Sequence, residues 1–248
     1  MNVYRWRPGP ASGFGGSLPP AVLNLLIANV AVFTFQLVTG VVAQVRIDRL
    51  FGLVPYDVVH HLFLWQLVTY MFLHGGLWHI GFNMLALWMF GAPLEEYWGT
   101  PKFLRFYFIT GIGAGICTTV VGPNSMIPTI GASGAIYGLL LAFGVLFPRQ
   151  VILIWGILPM EARWFALIMG VLAFWMSLTA PGNGVANIAH LGGMLFGWLY
   201  LRGPRWPRLP LGSAYRRWQQ ERRRRKFQVY YRETRGRGEG EDENDEER

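Results

Sequence analysis

Residues 131–147 read GASGAIYGLLLAFGVLF. The stretch carries no charge, and its only hydroxyl side chains, Ser133 and Tyr137, fall in its first half. Gly134, Gly138 and Ala142 recur every four positions, which puts three small residues on one face of a helix. At 1.5 Å per residue the stretch reaches about 26 Å, short of the ~30 Å hydrocarbon core of a bilayer. It reads as an apolar helix that starts beneath one membrane surface, with a serine at its mouth. Five further apolar segments flank it, at 20–42, 77–95, 102–121, 162–179 and 186–202. The expected fold class is therefore all-α: a polytopic membrane protein built as a six-transmembrane-helix bundle over residues 20–202. The first segment has Arg5 and Arg7 ahead of it and ends in Val-Val-Ala at Ala43, an arrangement shared with signal peptides. Its apolar run of about 22 residues exceeds the 7–15 of a signal h-region, so it is read as a retained span.

The charges agree. Of 248 residues, 52% are hydrophobic and 15% charged, against about 25% charged in a soluble domain. Only six Lys/Arg and five Asp/Glu lie between Pro8 and Leu201. This composition excludes a soluble enzyme, a disordered chain and a disulfide scaffold. The single cysteine, Cys117, sits in an apolar segment and is read as packing. With six spans both termini share one side, which holds Arg5, Arg7, Lys102, Arg105, Arg149, Arg163, Arg202 and the basic tail, while the other holds Arg46 and Arg49. The positive-inside rule then predicts cytoplasmic termini, in a multi-pass protein of a cell membrane of the bacterial inner-membrane kind. The second, fourth and sixth spans all begin on the outer side, so His79, Asn83, Ser133 and His190 share one depth.

Polar side chains inside a bilayer are costly and mark candidate sites. Ser133 stands in Gly131-Ala132-Ser133-Gly134, a small-residue turn into a helix. The turn allows close approach of an acyl group, and the helix start supplies free N–H groups that suit an oxyanion. Alone, the motif reads more readily as a small serine in a glycine-rich helix contact. His190, Gly193 and Gly197 lie at i, i+3 and i+7, on one face that can close against Gly134 and Gly138. His190 then becomes a general base for Ser133, with Tyr137 stacked on the imidazole in place of a third polar group. His79 and Asn83, at i and i+4, offer N–H donors but no nucleophile, as an oxyanion site requires. Taken alone, His79 and Asn83 are as readily a polar helix contact, and His190 can also be read as an interhelical hydrogen bond without catalysis. His74 and His79 raise a zinc site, but no second cysteine or nearby acid completes it.

On these residues the chain resembles the rhomboid family of intramembrane serine proteases, over roughly residues 20–202. The resemblance rests on His79-Ile80-Gly81-Phe82-Asn83, on the GxSG of Gly131 to Gly134, and on Ala189-His190 with Gly193. It implies that Ser133 is the nucleophile and His190 the base. It places the oxyanion site at the His79 and Asn83 side chains and the Ser133 amide, with Tyr137, Gly131 and Gly134 in support. Trp65-Gln66 stands where many relatives carry Trp-Arg, and Glu95 with Gly99 matches a Glu-xxx-Gly read as structural. The resemblance implies single-pass membrane-protein substrates cleaved at small residues, with no cofactor and no metal. A catalytically inactive relative that binds membrane clients is the alternative. A small transporter is disfavoured by the lack of inverted repeats and of an intramembrane carboxylate at the site.

The stretch 46–76, with Phe51, Phe63, Trp65 and Phe72 and followed by Trp78, is expected as a loop in the outer interface, where aromatics collect. Residues 122–130 should let water reach Ser133. Residues 1–19 are rich in Gly and Pro and are expected to be a disordered cytoplasmic segment. Residues 203–248 form a cytoplasmic tail, first basic, with Arg222-Arg223-Arg224-Arg225-Lys226, then acidic over 239–248. The basic run is read as contacting anionic lipid rather than nucleic acid.

Overall fold

The computed structural model describes residues 18–42, 47–154, 157–179 and 184–203. The expectations for residues 1–17 and 204–248 lie outside the described residues.

Each expected span coincides with a helix. The helix α1 (Pro20–Val42) is followed by three short helices, α2 (Asp48–Phe51), α3 (Pro55–His60) and α4 (Gln66–Thr69), and a 3-10 turn at Tyr70–Phe72. The second span is α5 (Leu77–Ala86), a π-helical turn at Leu87–Gly91 and α6 (Ala92–Trp98). Then come α7 (Thr100–Val121), α8 (Ser133–Leu146), a hairpin of β1 (Val151–Ile154) and β2 (Leu158–Glu161), α9 (Ala162–Thr179) and α10 (Gly184–Arg202). Among the described residues Pro20–Gly40, Leu77–Trp98, Thr100–Val121 and Ala162–Thr179 are long and apolar enough to cross a membrane, and Ser133–Leu146 is a shorter apolar helix.

Three details depart from the sequence reading. The 46–76 stretch is not an open loop but three short helices. Gln66 explains this: it is fully buried, its Oε1 accepts the Val54 N–H at 2.9 Å, and its Nε2 donates to the Arg49 and Leu50 carbonyls at 3.1 and 3.3 Å. A neutral amide thus pins the segment where an arginine is usual. Its tip leaves Leu62, Leu64 and Trp65 exposed, an apolar edge suited to the interface. The π-helical turn precedes Pro93, which has no N–H to return to Met89 and whose ring crowds that turn, so the helix widens there. The hairpin grows from Val-Ile-Leu-Ile, a β-prone run paired antiparallel from Val151↔Glu161 to Ile154↔Leu158.

The core lies where α7, α8 and α10 pack together, with Phe103, Phe106, Tyr107, Ala114, Ala135 and Leu139 fully buried. Small residues let these helices approach: Gly134 faces Ala114, and Gly192 faces Cys117. α1 and α9 are peripheral and leave Ile27, Phe35, Leu167 and Trp175 exposed, faces that suit hydrocarbon.

Glu95 and α1 are tied together. The buried Glu95 carboxylate accepts the N–H groups of Ala21 and Val22 at 3.0 and 2.8 Å and the Thr100 hydroxyl at 2.6 Å. It satisfies two of the free donors at the start of α1 and opposes the positive end of the helix dipole. Glu95→Ala is expected to destabilise the fold by about 2–4 kcal/mol, because charge-assisted bonds vanish and buried amides are left unpaired. Equilibrium unfolding in detergent measures this, and a loss under about 0.5 kcal/mol would count against the cap.

Candidate active site

Ser133 is the first residue of α8. Its amide and those of Gly134 and Ala135 therefore have no carbonyl one turn back within the helix. Ahead of it, Leu53 and Thr129 exchange backbone hydrogen bonds at 2.9 and 2.8 Å, and Gly131 N–H donates to the Tyr70 carbonyl at 2.9 Å. The segment of short helices between α1 and α5 thus holds the entry to α8. α8 itself spans about 21 Å, so its start lies well inside a 30 Å core if its end meets the far surface.

His190 comes from α10. Its Nε2 lies 2.8 Å from Ser133 Oγ. Tyr137, one turn after the serine, stacks on the imidazole with ring centroids 4.2 Å apart and planes 3° from parallel. That contact fixes the ring orientation, and an aromatic face also favours an imidazolium. No Asp or Glu occurs in α8, α9 or α10, so the pair has no acidic third member within those helices.

Gly131 has φ +125°, a left-handed conformation that favours glycine. A Cβ built there would sit 2.7 Å from His79 Nε2 and 3.6 Å from Asn83 Nδ2. Two side chains of α5 therefore converge on space that only a glycine leaves free. Asn83 is buried, and its Nδ2 has no hydrogen-bond partner among the described residues. An unpaired buried donor costs about 1–3 kcal/mol, which an incoming anion would recover. His79 Nδ1 accepts the Gly75 N–H at 3.2 Å, so the ring proton of neutral His79 sits on Nε2, the nitrogen facing Gly131.

The structure thus brings together Ser133, His190, Tyr137, His79, Asn83, Gly131 and Gly134. His74 meets His79 edge to face at 5.1 Å, and burial beside that ring lowers it from 6.5 to about 4. Among the described residues no group of three or more His, Cys, Asp or Glu is placed to hold a metal ion. Sequence reasoning missed Gln36 and Tyr70. Tyr70 is buried and its hydroxyl donates to the Gly111 carbonyl at 2.6 Å, tying the segment of short helices to α7. Gln36 had a legible signal, an amide inside an otherwise apolar span.

The family model for the rhomboid domain matches residues 61–203. The mitochondrial Rhomboid protein 1 of Saccharomyces cerevisiae is 33% identical over 138 residues, 52% of this chain and 38% of that protein. Rhomboid protease GluP of Bacillus subtilis is 33% identical over 135 residues, 54% of this chain and 24% of that protein. Rhomboid protease GlpG of Yersinia pestis is 26% identical over 181 residues, 73% of this chain and 61% of that protein. The matched part is thus less than two thirds of each of these relatives. With its helical bundle and the span of the domain match, this chain is a multi-pass membrane protein that belongs to the rhomboid family.

Proposed function

We propose that the protein is an intramembrane serine protease that hydrolyses peptide bonds in or near transmembrane helices of membrane-protein substrates. The observation that carries the reading is the 2.8 Å approach of His190 Nε2 to Ser133 Oγ. His190 accepts the hydroxyl proton as Ser133 attacks the scissile carbonyl. The oxyanion forms in the space against Gly131, where His79 Nε2–H, Asn83 Nδ2–H and the Ser133 amide donate to it. His190 then protonates the leaving amine, and water hydrolyses the acyl-enzyme. Tyr137 holds the imidazole through both proton transfers, and no cofactor or metal enters the steps.

The substrate helix enters between α5 and α9. Phe90 and Phe165 stack at 6.0 Å and close the inner end of that seam, while Trp78, Phe82, Trp175 and Leu178 stand exposed nearer the outer end. A substrate with Gly or Pro near its outer end unwinds most readily for attack. In this reading both termini face the cytoplasm, as the positive-inside rule predicts. Three cation–ring pairs, Lys102 on Trp98, Arg163 on Trp164 and Arg202 on Trp198, fall at helix ends on that side, where aromatics and cations meet headgroups. The run Arg222 to Lys226 adds contact with anionic lipid, at about 1 kcal/mol per basic residue near the surface.

A serine-directed fluorophosphonate tests the reading without a known substrate. The detergent-solubilised protein is expected to gain one covalent adduct, mapped by mass spectrometry to Ser133, and to gain none when it is heat-denatured before labelling. An adduct elsewhere, or none at Ser133, would refute an activated serine.

A further inference from the structure

We propose that Gln36, a side chain of α1 remote from the serine, sets the tautomer of His79 through the peptide joining His74 to Gly75. The inference deepens the reading above and rests on His79 as an oxyanion donor. Gln36 Oε1 accepts the His74 N–H at 2.9 Å, and Gln36 Nε2 donates to the His74 carbonyl at 3.3 Å and to Asp48 Oδ1 at 3.1 Å. A backbone N–H can only donate and a backbone carbonyl only accept, so the amide orientation of Gln36 is fixed at both ends.

The His74 carbonyl and the Gly75 N–H belong to one peptide plane and point in opposite directions. Gln36 grips one edge of that plane. The other edge presents Gly75 N–H to His79 Nδ1 at 3.2 Å. A donor on the carbonyl polarises the peptide and strengthens the N–H on its far side. His79 must then keep a lone pair on Nδ1 and its proton on Nε2. The opposite tautomer would set two N–H groups against each other and turn a lone pair toward the space at Gly131. His74 is neutral and its Nδ1 is 3.3 Å from the Phe72 carbonyl, so its own ring supplies no competing proton to His79 Nδ1. Gln36 and Gly75 are positioning residues: neither touches the reacting atoms.

The test is ¹⁵N NMR of the full chain, labelled at its five histidines, in detergent micelles. His79 is assigned by its loss in His79→Ala. In wild type its Nδ1 should resonate as an unprotonated nitrogen and its Nε2 as an N–H. Gln36→Leu and, more directly, Gly75→Pro should shift His79 toward a mixture of tautomers, while Gly75→Ala, which keeps the N–H, retains the wild-type signature. A Cβ at position 75 has only ordinary contacts, 3.6 Å from His79 Nδ1 and 3.7 Å from Ile130, so Gly75→Ala should fold. With a transmembrane substrate, Gln36→Leu should lower kcat by about tenfold with KM little changed, less than the 10²–10³-fold cost of losing the donor outright. Wild-type His79 protonated on Nδ1 overturns the proposal, as does a Gln36→Leu protein with unaltered shifts. Altered tautomers with unaltered cleavage would uphold the relay and overturn the oxyanion role beneath it.

Discussion

Ser133→Ala is expected to lower cleavage of a transmembrane substrate by about 10⁴-fold or more, with the unfolding midpoint nearly unchanged. The change removes one oxygen. That oxygen has one hydrogen-bond partner among the described residues, His190, and its helix keeps every backbone contact. A single such bond contributes about 1 kcal/mol to stability, small beside the loss of the nucleophile. His190→Ala should match it, because a serine without its base is a poor nucleophile at neutral pH. The double variant should be no worse than either single one, since the two groups act as a unit. Losses that multiplied would mean that each group works independently, against the dyad. Cleavage by Ser133→Ala at the wild-type rate would end the protease reading, whatever His190 does.

The parts of this molecule visible in its sequence were those that obey long-range constraints. Charges are sparse within residues 20–201 and gather between the apolar segments, which marks the spans, because a bilayer penalises every charge inside it. Alternation of spans places His79, Asn83, Ser133 and His190 at one depth, and small residues at four-residue spacing single out the faces of α8 and α10 that meet. What stayed hidden depends on local competition. Pro93 inside an apolar span signals a disturbance but not its form, since a kink, a break and a π-helical turn all relieve the same missing N–H. Val151 to Ile154 is too short a run to tell a strand from a helix end. The outer helices α2, α3 and α4 are held by the buried amide of Gln66, whose partners are all backbone atoms that carry no side-chain signature. Gln36 is visible as an amide in an apolar span, but its target is not: it acts on a peptide plane 38 residues away.

Gly193→Ala is expected to cost about 10²-fold in cleavage together with about 1–3 kcal/mol of stability. A methyl group at position 193 would collide with the Gly134 carbonyl oxygen and approach its carbon at 2.8 Å. The obstacle is backbone, within the turn of α8 that follows Ser133, so no side-chain rotation relieves it. α10 must move away from α8. His190 lies one turn before Gly193 on the same face, and the 2.8 Å contact it makes with Ser133 opens with that movement. Displacements near 1 Å in a reacting pair cost about 10² in rate. Gly197→Ala is the matched comparison. Its added methyl would lie 3.3 Å from Phe106 and 3.4 Å from Gly138 Cα, a tight fit relieved by a few tenths of an ångström, and it is two turns from His190. It should lose some stability and retain most of its activity. Rates and unfolding midpoints measured for both variants decide the matter: equal losses would show that the interface tolerates displacement evenly along its length, and that close approach at Gly193 is not what holds the imidazole to the serine.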